Sequence, residues 1–239
     1  MTEPLVVEMM SRKALLWRCL HGGPLTADSI EKPDQSGSIP WTAFRARNLS
    51  LLENLTDAYG ACAVTARVGN VFVGHLRFYP RAVREMSEAG LGLCLQQGFP
   101  YGPAGDFGRR AFPPLAEIAD KTLLVHCMML APDEPGRESR RHKGTGTRMA
   151  RTLVEWAAAN GWDAIEATAY EELPVIYSAS GQTGRRFWEN LGFRLVRTER
   201  EPALEEEHDF ARTMRDEAAH RGMDPACVSN KYIMRRTLD

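Results

Sequence analysis

The chain has 239 residues, 44% of them hydrophobic and 26% charged, with a net charge of -1. These values describe an ordinary globular chain of one large domain, or of one domain with extensions. They give no bulk attraction to nucleic acid or to an anionic membrane, and no apolar run is long enough to cross a bilayer.

The five cysteines, Cys19, Cys62, Cys94, Cys127 and Cys227, are scattered and include no C-x-x-C pair. Neither a metal site nor a disulfide framework is expected from them. A reducing, cytoplasmic setting is the simplest reading. The first residues lack the basic-then-apolar order of a signal peptide.

In chain order, residues 5–20 carry an apolar stripe of Val6, Met9, Met10, Leu15, Leu16 and Leu20 that predicts a helix. Residues 24–40 are polar and turn-rich, as a linker is. Residues 1–40 are therefore expected to form an N-terminal helical extension and linker. The stretch 41–59 is an amphipathic helix pattern with Phe44, Leu49, Leu52 and Leu55 on one side. Two strand-like runs follow, ACAVTARV and VFVGHLRFY, joined by Gly69-Asn70 as a tight hairpin turn. Residues 81–121 interrupt the pattern. They carry GFPYGPAGDFGRRAF, rich in glycine, proline and aromatics, as either a substrate lid or a surface excursion.

A buried strand is expected at 122–130 (TLLVHCMML), then a loop, then Arg141-His142-Lys143-Gly144-Thr145-Gly146 leading into an amphipathic helix. Met149, Leu153, Trp156 and Ala157 share a face of that helix, and Gly161 closes it. The first amide groups of a helix have no internal partner and point outward, and the helix dipole makes that end positive. Glycines let the backbone approach a phosphate closely, so the turn suits an anion. A strand at 162–170, a loop at 171–182, a short helix at 183–191, a strand at 194–200, a polar helical stretch at 201–222 and a closing strand at 231–235 complete the chain.

Strand, R-x-x-G-x-G, amphipathic helix, strand, and a short helix ending in Phe187-Trp188-Glu189-Asn190-Leu191-Gly192-Phe193 resemble the GNAT superfamily of acyl-CoA N-acyltransferases, over roughly residues 122–200. The resemblance implies an α/β (α+β) fold. Its central sheet would be mixed and mostly antiparallel, flanked by helices, with a V-shaped splay between two parallel strands, here 122–130 and 163–170. The domain would span 41–239, with insertions at about 81–121 and 201–228.

The same resemblance implies an acetyl-CoA-dependent N-acetyltransferase, with the amine attacking the thioester directly in a ternary complex. Coenzyme A would be held by Arg141, His142, Lys143, Gly144, Thr145, Gly146 and Thr147 at its pyrophosphate, with Arg148 adding charge. The backbone of Met128, Met129 and Leu130 would meet its pantetheine arm, and Trp188 would lie beside it. No metal is implied. The acceptor would be an amine-bearing small molecule or a protein amine, not a nucleic acid or a membrane. A homodimer is one allowed assembly.

Trp188 stands where many members of the superfamily place the tyrosine acid. An indole N–H donates a hydrogen bond but does not deliver a proton at neutral pH. Substitutes are Tyr177, preferred, with Tyr170, His126 and Cys127 as alternatives. Side chains alternate along a strand, so one of His126 and Cys127 is expected to face the cleft. Glu134, Glu171 and Glu172 are candidate bases. The alternative function is a non-catalytic acyl-CoA-binding module or sensor that kept the turn and lost the acid.

Overall fold

The computed structural model describes residues 3–20, 22–32, 41–86, 112–132, 143–179 and 183–238, with the side chains of 43, 44, 84–86, 177–179 and 203 outside the description. Among these residues nine strands form one sheet. The first is β1 (Leu5–Met9) and the hairpin is β3 (Ala63–Val68) with β4 (Val71–Pro80). The central pair is β5 (Thr122–Leu130) and β6 (Ala164–Tyr170), and β8 (Arg194–Arg200) and β9 (Asn230–Thr237) end the sheet. The order is β1-β3-β4-β5-β6-β9-β8, with two-residue strands β2 (Leu25–Thr26) on β4 and β7 (Thr183–Gly184) on β6. All long-strand pairings are antiparallel except β5 with β6. The expected mixed, mostly antiparallel sheet with a central parallel pair is present.

The helical reading of the N-terminus is corrected. Residues 5–9 form β1, paired antiparallel with β3 from Leu5–Val68 to Met9–Val64. Leu5, Val7 and Met9 are half-buried while Val6 and Glu8 are exposed, which is a period of two. Val6-Val7 adds β-branched stiffness at χ1, which favours a strand.

Residues 16–20 are irregular yet buried. A buried loop must find partners for its backbone polar groups. Arg77, 2% exposed on β4, donates through Nη2 to the carbonyls of Leu16 (2.9 Å) and Arg18 (2.7 Å). Asn48 donates to the Trp17 carbonyl at 3.0 Å.

Helix α1 (Arg45–Tyr59) buries Asn48, Leu51, Leu52, Leu55 and Tyr59, the spacing of one helical face. Gly69 carries the hairpin turn with φ +58°. Helix α3 (Thr145–Ala159) lies across β1, β3 and β4. It buries Met149, Ala150, Leu153, Val154 and Ala157, and leaves Trp156 half-buried against Phe78, ring centres 5.4 Å apart. Gly74 makes this close packing possible, since a Cβ there would stand 3.3 Å from the Met149 methyl.

Helix α2 (Arg81–Met86) opens the expected insertion, whose residues 87–111 lie outside the description. The 171–182 stretch holds a short helix, α4 (Pro174–Ala179), where a loop was expected. It forms because α4 is the lid of a second apolar cluster, Leu173, Ile176, Leu204, Met214 and Val228. Leu204 comes from α6 (Pro202–Glu205), Met214 from α7 (Asp209–His220) and Val228 from the turn Pro225–Ser229. Helix α5 (Arg185–Glu189) precedes the Leu191-Gly192-Phe193 turn.

Candidate functional site: a splayed strand pair and a helix terminus

The parallel pairing of β5 with β6 runs from Thr122–Ala164 to Val125–Ala167 and ends there. Both strands continue beyond it. β5 stays bonded to β4 as far as Leu130–Gly74, and β6 stays bonded to β9 as far as Ala169–Tyr232. The strands part because β5 bulges. Phe78 pairs with Val125 and Arg77 with Cys127, so His126 is the extra residue. A bulge bends the strand that carries it and increases its twist. Past it, no described strand pairs with the N–H and C=O groups of Cys127 to Leu130 that point away from β4, and β6 carries the two-residue β7 at Ala169 and Tyr170.

Helix α3 begins at this parting. Gly144 is its N-cap, in the left-handed conformation (φ +82°, ψ 7°), with nothing within 4 Å of where a Cβ would be. The first helical hydrogen bond, Arg148 N–H to the Gly144 carbonyl, is 2.9 Å. The amides before it are directed outward, as at any helix start. A Cβ on Gly146 would stand 3.5 Å from the Met128 methyl and 3.7 Å from the Phe187 ring. Strand β5 beyond its bulge, the first turn of α3 and helix α5 therefore meet at one place. An open left-handed glycine, outward amides and an unpaired strand edge together fit an extended ligand with an anionic group.

The expected cofactor residues divide. Met128, Met129 and Leu130 lie on β5 beyond the bulge, and Lys143, Gly144, Thr145, Gly146 and Thr147 form the helix entry. Arg141 and His142 lie outside the described residues, as does Glu134. Arg148 does not turn toward the helix start, because its guanidinium donates to the Leu5 carbonyl on β1 at 3.4 Å. Trp188 is 1% exposed and packed between Phe187 and Phe193, at 5.0 and 4.9 Å between ring centres. Its indole N–H has no partner among the described residues. Phe187, which the sequence marked only as part of the motif ending at Phe193 and not as a site residue, is the α5 side chain beside the helix entry.

The catalytic candidates divide as well. The alternation expected of His126 and Cys127 breaks at the bulge, and both side chains meet odd-numbered residues of β4. The His126 ring lies 5.6 Å from that of Tyr79. Burial, reinforced by the Arg77 charge, pushes its pKa down to about 3, so the imidazole is neutral. The Cys127 sulfur is 3.3 Å from His75 Nε2, and the Cys19 sulfur is 3.8 Å from the same nitrogen. Burial pushes the Cys127 thiol up to about 12, with Cys19 adding to it and Arg77 opposing. A thiol so raised is not a nucleophile at neutral pH.

Tyr170 donates to Glu201 at 3.3 Å, and its side chain packs on the α4–α7 cluster. Burial and then Glu201 raise its pKa. Tyr177 falls within α4, and its side chain lies outside the description.

Glu172 accepts the Arg186 amide at 2.7 Å and so caps the start of α5. Glu171 accepts from the Tyr232 hydroxyl. Tyr232 sits on β9 opposite Ala169, and burial followed by Glu171 raises its pKa. No local pattern marks Tyr232, which is brought to Glu171 through the β6–β9 pairing.

A mostly antiparallel sheet with one splayed parallel pair, flanked by helices, is the GNAT-like fold that the sequence resemblance implies. Solved structures of similar fold include the IAA acetyltransferase from Bacillus cereus ATCC 14579, 13% identical, covering 98% of this chain and 100% of that chain at a TM-score of 0.45. The acetyltransferase of GNAT family from Streptococcus pneumoniae is 9% identical and covers 99% of this chain and 100% of that chain at 0.47. The acetyltransferase (GNAT family) from Bacillus anthracis is 13% identical, with 99% and 96% covered at 0.43. At such identities the likeness concerns the fold alone. No protein-family model and no curated protein matches the chain. Among the described residues no helix is long and apolar enough to cross a membrane, and no group of three or more His, Cys, Asp or Glu could hold a metal ion.

Proposed function

We propose that the chain is an N-acetyltransferase that moves an acetyl group from acetyl-CoA to an amine by direct attack. The observation that carries this reading is the coincidence of two features. The β5–β6 pairing ends at Val125–Ala167, and the α3 entry at Gly144–Gly146 stands at the resulting gap.

Acetyl-CoA supplies the activated thioester. The amides of Thr145, Gly146 and Thr147 hold the pyrophosphate, with Lys143 adding charge. The outward backbone of Met128 to Leu130 meets the pantetheine amides. A backbone N–H near Met128 stabilises the oxyanion, as a fixed donor in a poorly solvated place. Cys127 stays a protonated thiol and takes no acyl group, which agrees with direct attack. Among the proton carriers, Tyr177 is preferred for the leaving thiolate. The acceptor is an amine-bearing small molecule or a protein amine. A cytoplasmic, metal-independent enzyme is the simplest form of this reading.

Trp188 favours a second reading, an acyl-CoA-binding module without turnover, because it places a buried indole where an acid hydroxyl is expected. Release of coenzyme A across a panel of amines separates the two. Release with any amine supports the enzyme. Tight acetyl-CoA binding with no release across the panel supports the module, and absence of binding overturns both.

A further inference from the structure

Most exposed arginines among the described residues have a carboxylate beside them. Arg12 pairs with Asp57, Arg45 with Glu31, Arg185 with Glu189, Arg212 with Asp209 and Arg221 with Glu217. One cavity departs from this rule at three of its four arginines. It measures about 540 Å³ and lies between α3, the turn after α5 and the adjoining ends of β8 and β9. Arg151, Arg194, Arg235 and Arg236 line it, with Asn190 and Gly192, and among the described residues no carboxylate does.

Two of the four are fixed in place. Arg235 is held by the buried Glu166 at 2.9 Å. Arg236 donates to the Leu191 carbonyl and lies over Gly192, where a Cβ would come within 3.5 Å of its Nη1. Gly192 has φ +82°, so a glycine serves both the turn and the close approach. Arg151 and Arg194 are exposed and make no ion pair with any described residue.

Arg235 is balanced by Glu166, but Arg151, Arg194 and Arg236 have no carboxylate among the described residues, and three such cations around one cavity repel one another unless an anion joins them. The volume falls within the range of small-molecule sites, about 300–1,000 Å³. Guanidinium forks match phosphate oxygens in geometry as well as charge. A carboxylate has two oxygens for these donors, whereas a phosphoryl group has three and about twice the charge.

We propose that this cavity binds a phosphoryl dianion carried on a small molecule. It is a different place from the α3 entry, since Arg151 lies about 9 Å further along the helix than Thr145 at 1.5 Å per residue. The proposal does not rest on the acetyltransferase reading. The phosphoryl group comes either from an independent phosphorylated metabolite or from the 3′-phosphate of a bound coenzyme A.

The test uses inorganic pyrophosphate as probe in a calorimetric titration. Gly144→Asp removes the α3 entry as a competing anion site, and Arg151→Ser with Arg194→Ser, both on the surface, removes the unpaired cations. Binding that persists in Gly144→Asp and weakens at least about tenfold when the two arginine changes are added supports the cavity. Binding unaffected by the arginine changes, or absent from Gly144→Asp while that variant melts as the parent does, overturns it. If Gly144→Asp does not fold, the parent and the arginine double variant are compared directly, and an equal number of bound pyrophosphates overturns the proposal. Coenzyme A and dephospho-coenzyme A then distinguish the sources. A double variant that loses affinity for coenzyme A alone assigns the cavity to the 3′-phosphate. Equal affinity for both, with pyrophosphate binding lost, assigns it to a separate metabolite.

Discussion

Val125 and Ala167 are the last residues at which the two parallel strands are joined, and His126, next in the chain, is the extra residue of the bulge. The bulge and the parting are one event in the backbone. A ring held neutral at that place has a measurable signature.

The folded-state pKa of His126 is lowered from 6.5 to about 3. Below 6.5 the unfolded chain takes a proton that the folded chain refuses. This contribution is therefore whole above pH 6.5 and is lost as pH falls toward 3. The limiting slope is about 1.4 kcal/mol per pH unit, and partial solvent contact reduces the expected loss between pH 7 and pH 5 to about 1 kcal/mol. Urea unfolding of the parent and of His126→Asn checks it. The asparagine variant should lose that difference, and an unchanged difference assigns it elsewhere.

Gly144→Asp should weaken acetyl-CoA binding at least about tenfold, because the new carboxylate takes the outward amides and repels the pyrophosphate. Space is open at that Cβ, and aspartate is among the residues that tolerate a left-handed backbone, so the fold should lose only about 1 kcal/mol. Parent-like affinity for acetyl-CoA would remove the helix entry from the donor site.

The tyrosines should separate kinetically. Tyr177→Phe is expected to lower kcat by about 10²–10⁴-fold with little change in acetyl-CoA affinity, as the loss of a general acid does. Tyr170→Phe should change kcat little, since its hydroxyl is committed to Glu201. The reverse ranking moves the acid to the end of β6.

Glu166 is 6% exposed and is met by Arg81 at 2.5 Å, Arg235 at 2.9 Å and Arg197 at 4.0 Å. Glu166→Ala should cost about 3 kcal/mol in urea unfolding, because it leaves cations without their shared partner. Glu166→Gln, which keeps the hydrogen-bonding shape, should cost less. Equal costs would make the charge irrelevant there.

The sequence made plain what local pattern encodes. The helix through Met149 and Leu153 and the Gly69-Asn70 hairpin both stand where their periods and turn residues place them. The first strand did not reveal itself, because the apolar residues from Val6 to Leu20 fit a helical stripe as well as they fit a short strand followed by a buried loop. The extra residue at 126 left no mark either. It follows from how β4 and β5 pair, and nothing in His126-Cys127 announces it. Tyr232 and the four-arginine cavity share that origin, since each is assembled by strand pairing between residues distant in the chain.

Arg77 gives the N-terminal segment a standing that its position in the chain conceals. Two carbonyls of that segment are the acceptors of a guanidinium inside the core. Removing the first twenty residues would strip a buried cation of those acceptors and leave β3 without its edge partner, so the lesion would reach the core of the molecule. Shortening this end is an operation on the core.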